Sequence, residues 1–140
     1  MPTSVSNRSK GLGRILILVY AVLAIAATGR SVFQVLDDFD NAPLAYSLSA
    51  LAAVIYLVAT AALIAPGQIW YRVAVITIAF ELVGVLVVGT LSIFDPVLFP
   101  SKTVWSVFGR GYAFVPLVLP ILGLAWLWIN RPSKASNAAL

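Results

Sequence analysis

The segment 73–94 is apolar along its whole length except for one carboxylate, Glu81. At about 1.5 Å per residue, ~20 helical residues span the roughly 30 Å hydrocarbon core of a bilayer, so the segment predicts a transmembrane helix. A carboxylate inside such a helix is costly unless it is protonated, paired or hydrated. Glu81 therefore marks either a functional site or a contact between helices.

The composition of the whole chain also indicates a membrane protein. Of its 140 residues, 61% are hydrophobic and only 10% are charged, whereas about a quarter of the residues of a soluble domain are charged. So few charges cannot cover the surface of a water-soluble protein of this length, and we expect lipid to surround most of the chain. The length allows four spans with short connections and no separate globular domain.

Several kinds of reactive site are excluded by the residue types that the sequence lacks. It contains no cysteine and no histidine, and its single methionine is Met1. Iron–sulfur clusters, His/Cys zinc sites and haem ligated by histidine or methionine are therefore all but excluded, and so are Ser-His-Asp and Cys-His catalytic groups. We expect no cofactor, no metal and no enzymatic activity.

Breaks in the apolar pattern predict an all-α membrane protein with four transmembrane helices in an antiparallel bundle. The spans are expected at about 15–36, 44–65, 73–94 and 112–129. They form a transmembrane domain, 15–129, between a basic cytoplasmic tail, 1–14, and a second cytoplasmic tail, 130–140. Residues 101–110 are apolar and aromatic between basic ends, and we expect them to lie as an interfacial segment at the outer membrane surface.

The basic residues predict the orientation of these spans. Four spans place both termini on one side, and six of the nine Lys and Arg residues fall there: Arg8, Lys10, Arg14, Arg72, Arg131 and Lys134. Only Lys102 and Arg110 fall in the opposite loops. By the positive-inside rule, the chain is N-in and C-in in the plasma membrane. The same distribution explains the net charge of +4 without any nucleic-acid partner.

The first span has a second interpretation. Its basic start, its apolar stretch and the sequence Ala24-Ile25-Ala26 also resemble a cleavable signal peptide. The helical pattern continues to Leu36, which favours a retained helix.

The first loop contains three aspartates, Asp37, Asp38 and Asp40, and is called the acidic loop below. Carboxylate oxygens are the ligands that divalent cations such as Ca²⁺ prefer, so a cation site is one interpretation of this loop. Its spacing does not match that of a calcium-binding loop. We therefore expect a hydrated loop on the outer face.

A second charge, Arg30, lies inside an apolar run. Measured from the inner surface at ~1.5 Å per residue, Arg30 lies roughly 20 Å up and Glu81 about 12 Å up. A direct Arg30–Glu81 pair therefore needs helix tilt or a shifted span boundary, and Gln34 with the acidic loop offers Arg30 other partners. A protonated Glu81 could instead donate a hydrogen bond to Tyr56 or Thr60.

Five stretches of the sequence carry a resemblance to known proteins: GRSVFQ (29–34), APLAYSLSALAAVIYLVAT (42–60), FELVGVLVVGTLS (80–92), TVWSVFGRGY (103–112) and PLVLPILGL (116–124). In this order, they resemble a family of uncharacterised small actinobacterial integral membrane proteins. The resemblance covers most of the chain apart from the two tails. It implies a four-span plasma-membrane protein, and it implies no activity and no catalytic residue.

Three functions are compatible with these patterns. We expect a non-enzymatic membrane protein that acts as an accessory subunit or self-associates, with lipid and a membrane protein or a second copy as partners. The alternative is a small transporter or channel for protons, cations or a lipophilic solute that uses Glu81 and Arg30, with a hinge at Pro116 and Pro120. A membrane enzyme acting on a lipid or quinone would need aspartates at the outer face, where no pair has a recognisable catalytic spacing.

Overall fold

The described part of the chain forms five helices and no strands, so it is all-helical. The computed structural model describes residues 3–38, 40, 42–95, 103 and 105–131. The helices are α1 (Thr3–Asp38), α2 (Pro43–Ile64), α3 (Gln68–Phe94), the short 3₁₀ segment η1 (Ser106–Tyr112) and α4 (Val115–Ile129).

Three of these helices are long and apolar enough to cross a membrane. They are Gly11–Asp37 within α1, α2 and α3, with mean hydropathies of 2.1, 2.2 and 2.4. Helix α4 has 15 residues, or about 22 Å, which is shorter than the hydrocarbon core of a bilayer. Together with η1, which it meets at a bend of 98°, α4 forms one broken candidate span. The described residues therefore contain three candidate membrane spans, or up to four.

Three helix starts differ by more than one residue from the starts of the predicted spans. Helix α3 begins at Gln68, five residues before residue 73. Helix α1 begins at Thr3, well before residue 15, because a helix satisfies its own backbone hydrogen bonds and can continue beyond its apolar part. Helix α4 begins at Val115, after Ala113 and Phe114 with φ of 55° and 60°. Left-handed residues interrupt a right-handed helix, so α4 cannot extend back to residue 112. Pro116 then lies in the first helical turn, where a missing N–H is tolerated.

Alanine and other small side chains line the interior between the helices. On α1, Ala24, Ala27 and Ser31 are buried at steps of three and four and form one small and polar stripe, the α1 stripe. Small side chains let helix backbones approach closely, which favours tight packing in lipid. The buried alanines of α2 that join this core are Ala52, Ala53, Ala59 and Ala62.

The chain ahead of η1 folds into the bundle beside α3. Trp105 is only 1% exposed. A Cβ added to Gly84 would lie 2.7 Å from the Trp105 ring, so the absence of a side chain at this position makes room for the indole. The predicted interfacial segment, 101–110, includes residues 101, 102 and 104, which lie outside the described residues.

Segment η1 also packs against α3. The ring of Phe108 packs on Gly89, and the backbone N–H of Val107 donates to Ser92 Oγ at 2.8 Å. Val107, Phe108 and Gly109 have φ of 50°, 58° and 83°, which puts a kink inside η1. The described residues of 103–112, which are 103 and 105–112, are called the re-entrant segment below.

The opposite end of the molecule joins the first and last helices. A Cβ added to Gly13 would lie 2.7 Å from the ring of Trp126, so α1 and α4 are in close contact there. The Tyr71 hydroxyl donates to the backbone carbonyl of Leu127 at 2.8 Å, which ties the start of α3 to the end of α4. The part of α1 around Gly13, the start of α3 and the end of α4 thus meet at one end.

Candidate functional site

Glu81 lies in the middle of α3 and is fully buried. The Tyr20 hydroxyl of α1 donates a hydrogen bond to its Oε1 at 2.8 Å. The other oxygen, Oε2, is also buried and has no hydrogen-bond partner among the described residues. An unsatisfied buried acceptor costs about 1–3 kcal/mol of folding free energy. A further hydrogen bond to Oε2 would remove this cost, so Oε2 is the part of the carboxyl that is available to a further donor.

Two aromatic residues complete the surroundings of this carboxyl. Tyr56 of α2 is fully buried, and its ring centroid lies 6.2 Å from that of Tyr20 at an interplanar angle of 52°. The Trp105 indole N–H donates to the Tyr56 hydroxyl at 2.8 Å. We call these four residues the Glu81 cluster; they come from α1, α2, α3 and the re-entrant segment.

Helical periodicity places Glu81 and Tyr20 in the interior. The buried residues of α3 recur at steps of three and four: Ala74, Ile78, Glu81, Val85 and Val88. On α1, Leu16, Tyr20, Ala24 and Ala27 are buried with the same spacing. Residues three or four apart share one face of a helix, so both polar side chains point away from the surrounding lipid.

Arg30 belongs to a different part of the molecule. It lies about 15 Å from Tyr20 along α1, and its side chain is half-buried. It lines a cavity of about 340 Å³ together with Thr103, Ser106, Val107, Arg110 and Gly111. The structure thus brings Glu81 to Tyr20 rather than to Arg30.

The remaining candidate residues lie near the end of α1. Gln34 is half-buried, and its side-chain oxygen has no hydrogen-bond partner among the described residues. Asp37 and Asp40 are exposed, and the side chain of Asp38 lies outside the described part of the structure. Among the described side chains, no three His, Cys, Asp or Glu residues come together to hold a metal ion.

Tyr20 and Trp105 are functional-site residues that the sequence analysis does not single out. Tyr20 lies four residues before Ala24, so extending the α1 stripe by one turn would have included it. Trp105 gives no comparable signal, because its position depends on a fold-back of the chain that residue spacing does not reveal. Tyr56 is the candidate that the structure does place in the Glu81 cluster, where its ring lies near that of Tyr20, the hydrogen-bond donor to Glu81.

The Glu81 cluster can do two things chemically. Its hydrogen bonds join side chains of different helices and thereby fix how those helices lie against each other. Its carboxyl also has one oxygen without a partner, which could hold a proton or a cation.

Comparison of the chain with protein-family models, with curated proteins and with solved structures found no match. No activity can therefore be transferred from a relative. The resemblance to the actinobacterial four-span family remains a prediction.

Proposed function

We propose that the chain is a four-span antiparallel bundle of the plasma membrane, N-in and C-in. In this proposal it acts as a non-enzymatic accessory or self-associating membrane protein. The observation that carries the proposal is the Glu81 cluster, whose polar side chains are enclosed and bonded to side chains of neighbouring elements. Such an arrangement serves helix packing, because buried polar contacts between helices fix their register.

The contacts at the ends of the helices support the proposed topology. The part of α1 around Gly13, the start of α3 and the end of α4 meet at one end of the molecule, through the Gly13–Trp126 contact and the hydrogen bond of Tyr71. Arg14, Arg72 and Arg131 belong to these segments. Basic residues concentrated at one end of the spans favour the cytoplasmic side for that end.

The outer surfaces of the helices support an association role. In the apolar windows of the three long helices, only 33%, 39% and 33% of the residues are buried inside the chain. The remaining residues face lipid or other proteins. A second copy or a partner helix can pack on these faces without disturbing the Glu81 cluster.

The experiment that tests this proposal uses the full chain in native membranes. Reporter fusions after Asp40 and after Gln68 are expected to report opposite sides, with Gln68 on the cytoplasmic side. Chemical cross-linking of the same membranes, followed by extraction in mild detergent, is expected to recover a stable complex. Reporters on the same side would contradict the topology, and a monomer in both membranes and detergent would contradict the association role.

A second candidate function is transport of protons or cations, and the free Oε2 of Glu81 favours it. Its test is ion flux into proteoliposomes with Glu81→Gln, which keeps the shape of the side chain but cannot ionise. The matched control is Asp95→Asn, which removes an exposed carboxylate at the end of α3. An unchanged flux in Glu81→Gln would remove this carboxyl from any transport mechanism.

A further inference from the structure

Two arginines line the cavity between α1 and the re-entrant segment. Arg30 reaches it from α1 and Arg110 from η1, and the cavity has a volume of about 340 Å³. The other described residues of its wall are Thr103, Ser106, Val107 and Gly111, none of which carries a negative charge. This is the size range of small-molecule sites, which begin at about 300 Å³.

The electrostatics of this wall favour an anion. Two arginines that line one partly enclosed space attract an anion, and the attraction is stronger than in water because the surrounding dielectric is low. Charged residues within membrane segments face the protein interior or a hydrated cavity, where they mark ligand or ion sites. An anion between Arg30 and Arg110 would accept hydrogen bonds from both.

Two buried hydroxyl groups of the same wall offer a further donor. Thr103 and Ser106 are 4% and 8% exposed, and their hydroxyl oxygens are 3.1 Å apart. One hydroxyl proton is shared between them, while backbone N–H groups donate to both oxygens. The second hydroxyl proton therefore has no acceptor among the described residues and is available to a bound anion.

We propose that this cavity binds a phosphate oxyanion, held by the guanidinium groups of Arg30 and Arg110 and by the hydroxyl pair of Thr103 and Ser106. Guanidinium groups suit this ligand because their planar donors match two phosphate oxygens at once. The phosphate group can come from the headgroup of an acidic lipid or from inorganic phosphate in solution. Both sources offer the same oxygens to the same donors.

The test measures ligand affinity of the purified full chain in detergent, from the shift of its thermal unfolding midpoint with ligand concentration. The lipid arm compares phosphatidic acid with diacylglycerol of the same acyl chains, because the two differ only in the phosphate group. The soluble arm compares inorganic phosphate with chloride at equal ionic strength. We expect phosphatidic acid or inorganic phosphate to raise the midpoint, and diacylglycerol and chloride to leave it unchanged. The arm that responds identifies the source.

Three variants connect this binding to the cavity. Arg30→Gln and Arg110→Gln are each expected to weaken binding about tenfold or more, since each removes a charge-assisted hydrogen bond. Arg72→Gln is the matched control: it removes an exposed arginine of α3 and should leave the affinity unchanged. Because Arg110 is exposed, its variant keeps the test valid even where Arg30→Gln fails to fold. Equal effects of diacylglycerol and phosphatidic acid without a response to phosphate, or equal weakening by Arg72→Gln, would overturn the proposal.

Discussion

Replacing Trp105 with alanine is expected to lower the free energy of unfolding by about 3 kcal/mol, the lower end of the cost of truncating a large buried aromatic residue. The indole is 1% exposed, packs on Gly84 and donates to the Tyr56 hydroxyl. The alanine variant would leave a cavity beside α3 and remove that donor. The change in the free energy of unfolding is measured by unfolding the protein in detergent while the helical circular dichroism signal is monitored.

Trp128→Ala provides the matched control for this variant. Trp128 is 67% exposed, and its ring is covered on one side by the Arg131 guanidinium at 4.4 Å from the ring centroid. We expect a loss of well under 1 kcal/mol here, because exposed cation–π contacts contribute only about 0.5–1 kcal/mol. Equal losses in the two variants would mean that Trp105 does not lie inside the bundle.

Replacing Glu81 with leucine is expected to destabilise the protein by about 1–2 kcal/mol. The leucine side chain has a similar size but leaves the buried Tyr20 hydroxyl without an acceptor, and an orphaned buried donor costs about 1–3 kcal/mol. The measured contribution of a hydrogen bond between membrane helices to stability is at most about 1.7 kcal/mol, so we expect a loss in the lower part of this range. Glu81→Gln keeps an acceptor oxygen for Tyr20 and should remain close to the wild type.

A double-mutant cycle with Tyr20→Phe checks that the two residues act on each other. The phenylalanine removes the hydroxyl that Glu81→Leu leaves unpaired, and removing both partners is close to neutral. The double variant is therefore expected to recover part of the stability lost in Glu81→Leu. Simple addition of the two single losses would show that Tyr20 and Glu81 do not interact in the folded protein.

The long helices could be predicted because the apolar residues of each helix determine both its length and which of its sides is buried. The repeat of buried positions on α3 includes Glu81, and the run from Leu44 onward, with Pro43 in the first turn, predicts α2 closely. The partner of Glu81 could not be chosen in the same way. Depth along the helices indicated only that a direct pair with Arg30 needs helix tilt or a shifted span boundary, and it did not reveal that Tyr20 was near.

The re-entrant segment could not be predicted from the sequence for a physical reason. Its aromatic residues and basic ends are those of an interfacial element, and composition does not show the direction in which a connection folds. Its place is determined by long-range contacts: Gly84 and Gly89 leave space that Trp105 and Phe108 fill. The chain bends and the last candidate span is broken where four non-glycine residues have left-handed backbone angles: Val107, Phe108, Ala113 and Phe114.

The hydrogen bond from Trp105 to Tyr56 couples the re-entrant segment to the centre of the molecule. Any displacement that lifts the indole from Gly84 would also uncover Tyr56 and give water a route toward the carboxyl of α3. Hydration of Glu81 would thus depend on the position of that segment.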